Sequence, residues 1–64
     1  MTNDLLTPEE AAKYLTLFPG TLKQWRSQQR GPRYVKVGGR VRYRRDALDE
    51  FLQSREIDPA RAAV

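Results

Sequence analysis

A chain of 64 residues has room for one small domain and a small core, which leaves no space for a buried active site and puts function on the surface. The absence of Cys and His excludes disulfides, thiolate chemistry and zinc sites built from those ligands, and leaves the redox compartment undetermined. The formal net charge of +4 and the pI near 10.0 point to an acidic partner without naming it.

Met1 to Asp4 reads as a flexible start, residues 1–4. Thr7-Pro8-Glu9-Glu10 is a strong helix opening. Thr7 can cap, Pro8 suits the first helical position, and Glu10 stands where a capping box needs it. Leu6 and Ala11 occupy the flanking staple positions. The spacing predicts a short helix through Leu15 that buries Ala11, Ala12 and Leu15. A helix so short persists only when packed.

Thr16-Leu17-Phe18 joins it to a second helix, predicted from Pro19 through Arg30 and closed by Gly31-Pro32. Leu22 and Trp25, with Phe18 just ahead, share one narrow apolar face. The opposite face carries Gly20, Lys23, Gln24 and Ser27, with Thr21 and Gln28 on one flank. Small residues, amides, a hydroxyl and a cation can approach a polyanion and hydrogen-bond base edges. This is the pattern of a recognition helix, and the two helices with their three-residue turn form a helix-turn-helix pattern. Trp25 can serve as a base-stacking platform, but its spacing from Leu22 favours a place in the core.

Beyond Gly31-Pro32 the period changes to two. Arg33-Tyr34-Val35-Lys36-Val37 and Val41-Arg42-Tyr43-Arg44 flank Gly38-Gly39-Arg40 as a hairpin. A two-residue Gly-Gly turn pairs Val37 with Arg40 and mixes apolar and charged residues on each face. An odd loop pairs Val37 with Val41 and Val35 with Tyr43, collects one apolar face, and is the expected register. It sets Lys36 opposite Arg42, a like-charged pair that favours an anion lying over it, and leaves Arg40 at the tip.

Arg45 through Gln53 returns to helical period with Leu48, Phe51 and Leu52 on one face, and Asp46 is its cap or a first-turn acid. The acids there form a solvated face rather than a paired-carboxylate catalytic site. Residues 54–64 lose the pattern and read as a mobile tail, although Asp58-Pro59 can start one more turn.

Charge is distributed unevenly. Ten of the twelve Lys and Arg lie between Ala11 and Arg45, a window without Asp or Glu. Surfaces built only for solubility intersperse the two signs, so this window marks a polyanion-binding face. Its cations Arg26, Arg30, Arg33, Lys36, Arg40 and Arg42, together with the backbone at Gly39, are the candidate phosphate and wing contacts. No apolar run reaches transmembrane length or precedes a signal cleavage site. A soluble, cytoplasmic chain is therefore expected, with no membrane partner, no cofactor and no small-molecule substrate.

Helix, turn, helix, basic hairpin and closing helix is the order of a winged helix-turn-helix, an α+β fold that is mostly α, here over residues 5–53. Four motifs, Leu6 through Leu15, Thr21 through Trp25, Val35 through Tyr43 and Asp46 through Leu52, resemble the excisionase-like branch of the MerR-type DNA-binding domains. The resemblance implies that the second helix enters the major groove and the hairpin tip the adjacent minor groove. By position it assigns Gly20, Thr21, Lys23 and Gln24 to the groove-facing part of the helix and Arg40 to the wing tip. Phe18 stands where that family usually carries a Ser or similar cap. Gly20 offers no side chain, which shifts base reading onto Thr21, Lys23 and Gln24.

The resemblance implies a non-enzymatic, nucleoid-associated protein of a phage or mobile element in a bacterial host. Such an excisionase binds double-stranded DNA beside attachment sites, in several copies, and shapes it for an integrase. The chain offers no room for a catalytic domain, an effector pocket or a dimerising coiled coil, which favours an architectural role. A small transcriptional regulator shares the same domain. A packaging or protein-interaction module, its basic face serving RNA or a partner, is a third reading. RNA is less favoured because no aromatic platform is expected at the surface.

Overall fold

The computed structural model of the chain describes residues 5–59; the start at 1–4 and the end of the tail lie outside them. The described residues form an α+β fold: β1 (Leu5–Leu6), α1 (Pro8–Tyr14), α2 (Pro19–Ser27), β2 (Val35–Val37), β3 (Arg40–Arg44) and α3 (Arg45–Ser54). The strands make an antiparallel sheet in the order β1-β3-β2, and the whole is a small winged helix-turn-helix.

The start of α1 follows its sequence signals. The Thr7 hydroxyl accepts from the Glu10 N–H at 3.1 Å, and the Glu10 carboxylate accepts from the Thr7 N–H at 2.9 Å. At its far end the Leu17 N–H reaches the Ala12 carbonyl at 2.7 Å and the Thr16 N–H the Lys13 carbonyl at 3.1 Å. Those two bonds make a Schellman ending, with Thr16 in the left-handed region at φ 58°. The turn therefore delivers Leu17, not Phe18, to the core. Phe18, expected beside Leu22 and Trp25, is 81% exposed as the residue capping α2.

Helix α2 ends at Ser27, three residues before the expected Arg30. It closes in a second Schellman motif, Arg30 N–H to Trp25 carbonyl at 2.9 Å and Gln29 N–H to Arg26 carbonyl at 3.1 Å, with Gln29 at φ 57°. The early bend brings Gly31, at φ 92°, against the Trp25 ring; a Cβ there would stand 2.7 Å from Trp25 Cε3. Gly31 is thus needed for close packing against Trp25, while Gln29 closes the helix.

The hairpin register differs from the expected one. Val35 pairs with Arg42, Lys36 with Val41 and Val37 with Arg40, around a two-residue Gly38-Gly39 turn. Both glycines lie in the left-handed region, φ 58° and 80°, as a type I′ turn requires. Lys36 therefore faces Val41, and the expected Lys36–Arg42 opposition does not form. The apolar face on β3 is completed from its other side, where Leu6 of β1 pairs with Tyr43. That short first strand was not expected.

Leu6, Ala11, Ala12, Leu15, Leu22, Tyr43 and Leu48 form the buried core, with Leu17, Trp25 and Val41 packed against it. Trp25 joins the core only in part: it is half-buried, its ring 5.6 Å from that of Phe51. On α3, Ala47 and Leu48 are buried and Phe51 is half-buried, while Leu52 is exposed. At about 100° per residue the first three fall in one arc and Leu52 turns beyond it. Asp46 lies in the first turn rather than at the cap, which is Arg44.

Candidate nucleic-acid interface

Leu22, fully buried, fixes the rotation of α2 about its axis. The face opposite it is therefore displayed: Gly20, Lys23, Gln24, Ser27 and Gln28 are exposed, and Thr21 is half-buried on the flank. The six expected groove-facing residues thus share one side of the helix. Ser27 donates its hydroxyl to the Gln24 carbonyl at 2.8 Å, so its oxygen is turned back along the helix. No atom lies within 4 Å of where a Cβ on Gly20 would stand. The surface there is open down to the backbone, the shape that lets a helix approach a second surface closely.

The expected phosphate contacts separate into two groups. Four have partners within the fold. Arg26 donates to the Tyr43 hydroxyl at 3.0 Å and Arg42 to the Val41 carbonyl at 2.7 Å; both arginines are half-buried. The Arg30 guanidinium lies 5.5 Å over the Trp25 ring. Arg33 pairs with Glu50 of α3 at 2.6 Å. With side chains 72% and 65% exposed, that pair is held weakly and can exchange its carboxylate for another anion. Lys36 and Arg40 form the second group; like Lys23 on α2, they are exposed and without an acidic partner among the described residues.

Arg40 is not the tip. It opens β3 opposite Val37, and the tip itself is the bare backbone of Gly38 and Gly39, neither with an atom within 4 Å of an added Cβ. A glycine tip flanked by one arginine is narrower than the three-residue loop expected. Arg40, Arg42 and Arg44 alternate along β3 and so share one face of the sheet. Arg44 and the adjoining Arg45, both exposed, extend the basic surface beyond the expected contacts. The alternation Arg40-Arg42-Arg44 is the sequence signal that marks Arg44, although Arg44 is not among the expected contacts. An open groove of about 250 Å³ between β2 and the start of α3 is lined by Arg33, Tyr34, Val35, Arg44, Asp46 and Ala47.

Among the described residues no helix is long and apolar enough to cross a membrane, and no group of three or more acidic side chains is placed to hold a metal ion. No curated protein matches the chain. The family model for a helix-turn-helix domain matches residues 5–56, which span every element from β1 to α3. With that match running through both helices, their turn and the basic wing, the chain belongs to the helix-turn-helix domain family, a DNA-binding family that includes excisionase-like members.

Proposed function

We propose that the protein is an excisionase-like architectural factor of a phage or mobile element, which lays α2 in the major groove of specific duplex DNA and sets the β2-β3 wing against the neighbouring minor groove. The observation that carries this reading is the outward face of α2. It holds a glycine, a cation, two amides and a hydroxyl, with no acid, while the only buried side chain of the helix is Leu22. Thr21, Lys23 and Gln24 read base edges, because amide and ammonium donors suit adenine and guanine in the major groove. Ser27 and Gln28 flank them. Lys36, Arg40 and the backbone at Gly39 engage the wing's groove. Arg26, Arg30, Arg33 and Arg42 contact phosphate after giving up or sharing their partners within the fold.

The likeness of four sequence motifs to the excisionase-like branch of the MerR-type domains narrows DNA binding to this role. In it, copies of the protein bind side by side near an attachment site, in the cytoplasm on the nucleoid, and bend the DNA for an integrase. Bending over such a site costs on the order of 1–6 kcal/mol, which contacts from several copies offset. Footprinting on the attachment region of the element that encodes the protein, with a circular-permutation gel assay for bending, tests the reading. Protected direct repeats and a bend that raises excision support it. Protection of one promoter, with no effect on recombination, makes the protein a transcriptional regulator instead.

A further inference from the structure

Phe18 is poorly explained by stability. It is 81% exposed, the most exposed large apolar side chain among the described residues. It occupies the N-cap of α2, with φ −80° and ψ 144°, and makes no side-chain cap bond. A helix N-cap favours Ser, Thr, Asp or Asn, because their oxygen accepts from the otherwise unpaired N–H groups of the first turn. Phenylalanine supplies no acceptor and leaves a ring in water. Its neighbour Leu17 already fills the core contact that an apolar residue in the turn could provide. Only the Phe18 carbonyl serves the helix, accepting from the Thr21 N–H at 2.9 Å, and any residue would do the same.

Phe18 caps the end of α2 that also displays Gly20 and Thr21, and at Gly20 no atom lies within 4 Å of an added Cβ. Among the base edges of the major groove the apolar feature is the C5-methyl of thymine, which aromatic side chains contact. We propose that Phe18 is a specificity-determining residue that packs its ring on a thymine methyl at the edge of the site read by α2. This rests on the proposed placement of α2 in the major groove. The fold forgoes a polar cap and receives, on binding, an apolar contact that distinguishes A·T from G·C at one position.

The test uses the full chain and its footprinted DNA site made in two forms, one with thymine and one with uracil, which differ only by that methyl. Wild type is expected to bind the uracil duplex about fourfold more weakly (~0.8 kcal/mol), the value of burying one methyl-sized group. Phe18→Ser is expected to bind both duplexes equally and, with its cap restored, to melt about 4–8 °C higher. Replacing every cytosine with 5-methylcytosine separates the other source of the same methyl, and no change in affinity is expected. An equal uracil penalty in both proteins, no penalty in wild type, or tighter binding on cytosine methylation overturns the proposal. So does a Phe18→Ser defect confined to side-by-side binding of several copies, which would make the ring a contact between copies. Failure of wild type to bind any duplex refutes the placement of α2 instead, a result distinct from these.

Discussion

At the scale of single residues, the C-terminal ends of α1 and α2 are both closed by residues in conformations they disfavour. Thr16 and Gln29 sit at φ 58° and 57°, where a Cβ crowds the following carbonyl and glycine is usual. Each nevertheless closes a complete pair of Schellman bonds, so the local hydrogen bonding and the packing of Leu17 and Trp25 outweigh the strain. Gln29→Gly is therefore expected to stabilise the fold by about 1 kcal/mol, and to raise the melting temperature by about 4–8 °C. Gly31→Ala should act in the opposite direction, because its Cβ would meet the Trp25 ring at 2.7 Å and its own φ is 92°. Thermal unfolding of the two variants beside wild type checks both signs. A neutral Gln29→Gly would mean that Gln29 is not strained.

At the scale of elements, α1 and α3 are joined by the Tyr14 hydroxyl, which donates to the Asp49 carboxylate. This hydrogen bond, aided by partial burial and the Asp49 charge, holds the Tyr14 pKa above its ordinary 10.0. The folded state thus keeps the phenol proton to higher pH than the unfolded chain does. The stabilisation is complete below the ordinary tyrosine value and is lost as pH rises through the folded one. Tyr14→Phe should be less stable than wild type at about pH 7, and the difference should vanish as pH rises through the raised Tyr14 pKa, by urea unfolding at each pH. A stability difference that persists unchanged at the higher pH would assign the effect to packing.

The wing is the second element with a testable consequence. Arg40 leaves the sheet beside a bare glycine turn, the arrangement that lets one long cation enter a narrow groove while the backbone comes close. Arg40→Ala is expected to leave the fold intact, since Arg40 is exposed and pairs only through its backbone. It should weaken DNA binding, lower the salt slope by about one unit, and reduce any preference for A·T flanks. Gel shifts on sites with A·T or G·C flanks measure this. The same flank preference in wild type and variant would take the wing out of minor-groove recognition.

At the scale of the whole molecule, the charge is both asymmetric and unevenly committed. Lys13, Lys23, Lys36, Arg40, Arg44 and Arg45 are exposed without an acidic partner among the described residues, whereas Arg33 already has Glu50. Five or so phosphate contacts from such a set predict a log–log slope of binding against salt of about −4 to −5. A filter-binding or anisotropy titration over a range of KCl gives the slope. A value near zero would remove nucleic acid as the partner.

The features legible in the sequence were those set by local chemistry. The Thr7–Glu10 capping box, the hairpin around Gly38-Gly39 and the last helix each depend on bonds or torsions within about one turn of chain. The outward face of α2 was legible for the same reason, since burying Leu22 leaves Gly20, Lys23 and Gln24 outside. Tertiary structure decided what one segment alone cannot specify. The hairpin register was expected from a single apolar face shared by both its strands. The core instead takes Val41 and Tyr43 from β3 and completes that face with Leu6, a partner 37 positions from Tyr43, so Val35 and Val37 need not face inward. Freed of that demand, two left-handed glycines set the turn. Which of Leu17 and Phe18 entered the core followed from how α1 ended, and which arginines stayed available followed from where Tyr43, Trp25 and Glu50 came to lie. Local torsions are determined by neighbours in sequence; register, burial and the pairing of charges are determined by neighbours in space.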